Sequence, residues 1–282
     1  MTRVIDAHQH VLDPDRAPYP WMTPEVDALR RPFPLDELLP QLAAAGVGGT
    51  VVVQARTELD ETRDLLALAA ATPIVLGVVG WADLTDPALD DVLAALRAGP
   101  GGERLVGIRH PAHDEPDPRW LLRADVRRGI ATVGRSGLAV DLLVRPREMP
   151  AAIELVRGEP GTRFVVDHLG KPPIAGGTLE PWATQLAGLS GLPNTWCKLS
   201  GLVTEAAWDA WTVDDLRPSV DSALERFGAS RLLYGSDWPV CLLAASYETV
   251  IATARTLTDG LSGAERAAVF GGNAEDVYRL GA

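Results

Sequence analysis

The sequence predicts an α/β fold, one closed (β/α)8 barrel of the TIM type, and three observations predict it. Apolar runs alternate with helix-spaced stretches from end to end, with no break in composition. Eight such runs are found, most of them near-continuous in Val, Ile and Leu, as parallel strands buried on both faces are. Polar residues able to bind metal or move protons gather where those runs end, at the face on which barrels build their sites. An open doubly wound sheet is the competing arrangement. Against it, His8-Gln9-His10 stands after the first run, where such a sheet would carry Gly-x-Gly-x-x-Gly.

The expected strands are Val4–His8, Thr50–Gln54, Ile74–Trp81, Leu105–Arg109, Ala139–Val144, Arg163–His168, Thr195–Leu199 and Leu232–Ser236. Between them lie helical patterns such as Leu122, Val126, Ile130 and Val133, which share one helix face. Gly46, Gly137, Gly158 and Gly228 each fall shortly before a new run, the place of a helix C-cap. Pro40 interrupts the pattern Leu35, Leu38, Leu39, Leu42, so that helix is expected to begin late or to kink. The Pro-rich stretch 13–34 reads as an insertion over the barrel mouth, flanked there by loops 111–118 and 170–177. Residues 1–282 are expected to form a single domain.

The formal net charge of −12 argues against nucleic-acid or anionic-membrane partners, whose phosphates repel an acidic surface. Two cysteines, Cys197 and Cys241, are too few for a disulfide framework and read as packed thiols of a cytoplasmic protein. No basic segment followed by an apolar stretch opens the chain, and the apolar tract 65–81 is broken by Thr72-Pro73. A small-molecule substrate is the expected partner; oligomeric state is not encoded in any of these features.

The candidate site residues follow from the strand ends. His8 and His10, two apart on a strand, share a face and make half a metal site or a polar catalytic floor. Asp237, after the last strand, supplies the acceptor opposite them. Gln54 ends the second strand, Arg109 and His110 the fourth, and Asp167 and His168 the sixth, while Lys198 lies on the seventh. Asp167 and His168 are neighbours on a strand and point to opposite faces, which favours His168 as the one that enters the mouth. Trp21 and Trp238 are candidate sugar-facing surfaces. Each residue has a structural alternative: Asp237 as a cap or turn residue, Arg109 as an ion-pair partner, Lys198 pointing outward, the tryptophans as packing.

With these residues in place, the chain resembles the amidohydrolase superfamily, in its amidohydrolase-related branch of sugar-lactone hydrolases. The resemblance runs nearly end to end. It is carried by Ile5-Asp6-Ala7-His8-Gln9-His10, Tyr19-Pro20-Trp21, Val51-Val52-Val53-Gln54-Ala55, Gly107-Ile108-Arg109-His110, Asp167-His168-Leu169-Gly170-Lys171-Pro172, Cys197-Lys198-Leu199-Ser200-Gly201 and Tyr234-Gly235-Ser236-Asp237-Trp238-Pro239. It implies hydrolysis of lactones of the L-fuconolactone or L-rhamnonolactone type. Two-metal members carry a bridging lysine or carboxylate on the fourth strand and a histidine on the fifth. Here the fourth ends in Arg109-His110 and the fifth, Ala139 to Val144, has no histidine. The resemblance therefore implies one divalent ion, zinc, on His8, His10, His168 and Asp237, or none.

Asp237 is the expected base, with burial beside Trp238 expected to raise its pKa. His8, His10 and His168 complete the catalytic set, and Arg109, His110, Trp21, Gln54, Lys198 and Trp238 the substrate-binding one. Two other readings stay open: a metal-dependent decarboxylase on the same fold, and a ligand-binding barrel without catalysis.

Overall fold

The computed structural model describes residues 3–281. Its eight parallel strands are β1 (Ile5–Gln9), β2 (Gly49–Val53), β3 (Val75–Gly80), β4 (Leu105–His110), β5 (Ala139–Leu142), β6 (Phe164–Val166), β7 (Thr195–Leu199) and β8 (Leu232–Tyr234). They pair in sequence order from β1 to β8. The sheet is brought round on itself at the β1/β8 seam. There the Asp237 amide donates to the His8 carbonyl (2.8 Å) and the His10 amide to the Trp238 carbonyl (2.7 Å).

Strands with no solvent-facing side read as continuous apolar runs, and two apolar layers explain these. Ile5, Ala7, Val51, Val53, Val79, Ala139, Val165 and Leu233 form one buried cluster with Ala274, Val277 and Tyr278 of the last helix, Asn273–Tyr278. The other strand faces pack against the surrounding helices through Val52, Val78, Ile108, Val140, Val166 and Leu232. The helix Ala124–Arg135 contributes Val126, Ile130 and Val133, the spacing expected of one buried face.

Gly46 and Gly228 cap helices with positive φ, and Gly137 follows a cap with φ of 77°. Gly158 instead ends inside its helix, Met149–Gly158. The helix Leu35–Ala45 starts at the first leucine of its pattern and carries Pro40 within it, so it does not begin late. Pro40 surrenders one backbone bond, the one its N–H would give to the Asp36 carbonyl, and both residues are exposed. The insertion 13–34 is tied back by the antiparallel Leu12–Phe33 bridge and brings Pro20 and Trp21 to the barrel mouth.

Candidate active site

The first strand does not present its histidines by simple alternation. Between Asp6 and Gln9 its register against β2 shifts, an irregularity of the kind that re-aims side chains. The buried Asp6 carboxylate fixes the shift by accepting from the His8 amide (3.2 Å) and the Ser236 amide (2.9 Å). His8 and His10 then meet with their Nε2 atoms 3.2 Å apart, and the Nδ1–H of His10 donates to the Val53 carbonyl (2.8 Å).

β6 ends at Val166, and the next residues leave the strand conformation. His168 has φ of 54° and Leu169 of 51°, left-handed values that non-glycine residues seldom adopt. This turn corrects the expectation that Asp167 and His168 point to opposite faces, although of the two only His168 lines the mouth, as expected. Both turn inward. Asp167 lies beneath the site, its Oδ2 accepting from Arg109 (3.0 Å) and its Oδ1 3.0 Å from Lys198 Nζ. His168 lies above it, with Nδ1 2.9 Å from the Ser200 hydroxyl. Asp237 also has positive φ (59°). Its Oδ1 faces three imidazole nitrogens: His10 Nε2 at 3.3 Å, His8 Nε2 at 3.6 Å and His168 Nε2 at 3.9 Å.

Two glycines make this convergence possible. A Cβ on Gly201, whose φ is 64°, would stand 2.5 Å from His168 Nδ1; one on Gly235 would stand 2.7 Å from the His8 Cβ.

A cavity of about 200 Å3 opens above the cluster. Of the expected residues, His10, Trp21, Gln54, Arg109, His168 and Asp237 line it. Trp21 is fixed by its indole N–H, which donates to the Ala55 carbonyl (2.8 Å), and Gln54 by donation to the Arg109 carbonyl (3.2 Å). His8 is fully buried just below.

Three expected substrate contacts are corrected. Lys198 is fully buried under the site, bound to Asp141 (2.5 Å) and His8 Nδ1 (3.0 Å), because buried carboxylates hold it inside the barrel. Trp238 is also fully buried and packs edge-on against Phe33, so it faces the insertion, not the cavity. His110 turns away from the cavity to stack on Trp120, accepts from the Trp81 indole (3.1 Å) and donates to Glu115 (2.8 Å).

The cavity wall also contains Lys171, from the Asp167–Pro172 motif, and Arg56, His113 and Asp114, which did not stand out as site residues. The last three lie on loops after strand ends; the local signal was position alone.

Burial depresses His168 well below the ordinary imidazole value, and burial together with the Lys198 ammonium does the same to His8. Both rings are therefore neutral near pH 7. For Asp237 the direction is opposite to the expected one. Burial pushes its pKa up, but His168, His10 and Lys171 outweigh that and hold it below the usual carboxylate value. Asp167 is held lower still, burial being overcome by Lys198, His8 and Arg109.

The donor set suits a single metal ion. His8, His168 and Asp237 each offer a ligand atom within 4.8 Å of the others, and two imidazoles with one carboxylate is a zinc-type combination. His10, the fourth expected ligand, touches His8 and Asp237 through its Nε2, at the side of that set of three.

The comparisons with known proteins agree with this architecture. A family model described as Amidohydrolase matches residues 5–280. An L-fucono-1,5-lactonase of Burkholderia multivorans is 40% identical over 287 residues, which cover 98% of this chain and 96% of the relative. One from Burkholderia ambifaria is 40% identical over 286 residues, covering 99% and 97%. The crystal structure of an amidohydrolase from Burkholderia multivorans with bound zinc superposes with a TM-score of 0.94 at 38% identity, covering 99% of both chains.

Proposed function

Because the chain belongs to the amidohydrolase family, we propose that it is a hydrolase that opens a small sugar lactone, of the L-fucono-1,5-lactone type, by water attack on the ring carbonyl. The observation that carries the reading is Asp237: a carboxylate held ionised at the cavity floor, with three imidazoles around one of its oxygens. The names of the two 40%-identical relatives supply the substrate class. They weigh against the decarboxylase and the binding-only barrel.

In this mechanism Asp237 accepts the proton of the attacking water as its oxygen bonds to the carbonyl carbon. When the ring C–O bond breaks, Asp237 returns that proton to the leaving oxygen, and the product is a hydroxy acid. His168, fixed by Ser200, and His10, fixed by the Val53 carbonyl, orient the water and the carbonyl. Arg109, tied to Asp167, supplies positive potential where the oxyanion forms. Trp21, Gln54 and Arg56 give the cavity its wall for the ring and its hydroxyls. A zinc ion held by His8, His168 and Asp237 would polarise the carbonyl or lower the pKa of a water.

Residues 1–282 are read as one barrel domain, supported by strand pairing that runs unbroken from β1 to β8. Among the described residues no helix is long and apolar enough to cross a membrane. Buried Cys197 and Cys241, neither in a disulfide, support a cytoplasmic setting.

The test is proton release from a panel of sugar 1,4- and 1,5-lactones. Turnover is expected to fall by about 100- to 10,000-fold in Asp237→Asn, the range for loss of a general base, with the circular dichroism spectrum retained. A folded wild-type protein silent on every lactone overturns the function; an Asp237→Asn variant at near-normal rate removes Asp237 from the base role.

A further inference from the structure

The cavity wall carries one ammonium whose donors are mostly unspent. Lys171 lines the cavity with its side chain 17% exposed, at the end of the left-handed turn that also holds His168. Its backbone is fixed there by its own amide, which donates to the His168 carbonyl (2.8 Å). The side chain gives one hydrogen bond, from Nζ to Glu205 Oε1 (2.5 Å), at the end of the short helix Leu202–Glu205. An ammonium has three donors, so two are left without a partner among the described residues.

The charge of Lys171 is felt at Asp237 and His168 on the floor and at His113 and Asp114 on the wall, which sets the ammonium between the two. Arg109 is not equivalent to it. Its Nη1 approaches Asp167 Oδ2 (3.0 Å) and His8 Nε2 (3.3 Å), and its Nη2 donates to the Gln54 carbonyl, so most of its N–H groups are already spent.

The reaction needs a spare donor twice. As the water oxygen bonds to the ring carbonyl carbon, Asp237 takes the proton and the carbonyl electron pair moves onto oxygen. When that pair re-forms the double bond, the ring C–O bond breaks and its pair takes the proton back from Asp237. The acid so formed loses its own proton to solvent, leaving a carboxylate beside an ionised Asp237. Two like charges at the cavity floor repel unless a cation stands with them.

We propose that Lys171 is a catalytic residue of this site, its ammonium aimed by Glu205 to donate to the lactone carbonyl oxygen as charge develops there, and then to the carboxylate of the opened acid. Glu205 is its positioning residue. The inference rests on the lactone reading, whose failure is a wild type silent on every lactone. The decisive test here is binding at equilibrium, without turnover, so the two failures are separate results.

The measurement is titration calorimetry of the full chain, zinc content matched between variants. The ligands are L-fuconate, the acid that the expected lactone yields, and L-fucitol, in which an alcohol replaces the carboxylate. Wild type is expected to hold the acid more tightly than the alcohol. Lys171→Met should weaken L-fuconate about 10- to 100-fold, the span for a hydrogen bond between charged groups, and leave L-fucitol unchanged. Glu205→Gln keeps the ammonium and an acceptor for it, and should hold L-fuconate at least as tightly as wild type. In steady state Lys171→Met should lose about 100-fold in kcat/KM on a lactone, with Lys171→Arg recovering part of it. Equal losses of acid and alcohol in Lys171→Met, or an equal loss of L-fuconate in Glu205→Gln, would reduce the pair to a strap between loops and overturn the proposal. So would a wild type that hydrolyses L-fucono-1,5-lactone yet binds its acid no better than the alcohol. Should Lys171→Met fail to fold, Lys171→Gln/Glu205→Gln removes both charges together and is held to the outcomes set for Lys171→Met.

Discussion

Gly201→Ala separates the geometry of the site from the stability of the fold. The backbone there has φ of 64°, and an added Cβ would lie 2.5 Å from His168 Nδ1 and 3.1 Å from Asp237 Oδ2. Restoring ordinary contact at 3.4 Å needs a displacement of about 0.9 Å by the imidazole. His168 has little room to give, since its crowded Nδ1 is also bonded to the Ser200 hydroxyl and its own backbone is already left-handed. A misplacement of about 1 Å in a reacting constellation costs on the order of 100-fold in rate. The left-handed alanine adds about 1–2 kcal/mol of destabilisation. Gly177→Ala is the matched control: its φ is 68°, yet nothing lies within 4 Å of the added Cβ. Steady-state kinetics on a lactone and thermal melts of both variants are the assay. Both should lose a few degrees of melting temperature, and only Gly201→Ala should lose about 100-fold in kcat. Equal kcat losses in the two, or a normal kcat in Gly201→Ala, would refute the claim that close approach at Gly201 places His168.

Two further expectations concern the loop after β2. Glu61 accepts from the Ala55 and Arg56 amides, and burial raises its pKa from 4.5 to about 7. A carboxyl whose folded pKa is raised lends stability that is full below its unfolded pKa and is lost as pH rises through the folded value. Glu61→Gln should therefore flatten the fall in stability between about pH 4.5 and 7, by up to about 3 kcal/mol, in denaturant titrations. An unaltered slope in the variant would mean that Glu61 does not titrate in that window. Trp21→Phe loses the bond to the Ala55 carbonyl at the cavity wall. It should raise KM about fivefold, from roughly 1 kcal/mol of lost positioning, with kcat held; a kcat effect of that size with KM unchanged would place Trp21 in the chemistry instead.

How far the sequence could be read depends on which signal each residue carried. The strands were legible because burial on both faces fills them mostly with Val, Ile and Leu, as in Val51–Val53 and in four of the five residues from Val75 to Val79. Asp237 and the histidines at the ends of β1 and β6 were legible as a cluster. Their mutual geometry was not, because period-two alternation fails where it mattered most: at the shifted register between Asp6 and Gln9 and at the left-handed turn of His168. Lys198 looked like a pocket residue because a strand lysine is conspicuous. Its partner Asp141 lies 57 residues away, and Tyr278 lies farther still, so local reading cannot join them. The sign of the Asp237 shift failed for the same reason: burial is visible from neighbouring apolar residues, whereas Lys171 and His168 act through space.

The β1/β8 seam has a consequence for when the molecule becomes competent during its synthesis. The backbone bonds that complete the ring join His8 and His10 to Asp237 and Trp238, so the same residues that complete the cylinder furnish its chemistry. A nascent chain that has emerged only through β7 can bury much of its apolar surface while its amino-terminal strand still lacks a partner on one edge. Such a seven-stranded sheet holds His8, His10 and His168 but lacks Asp237, whose Oδ1 faces all three rings. Ring closure and the meeting of the histidines with Asp237 are one event, which waits until about five-sixths of the polypeptide, through Trp238, has been made.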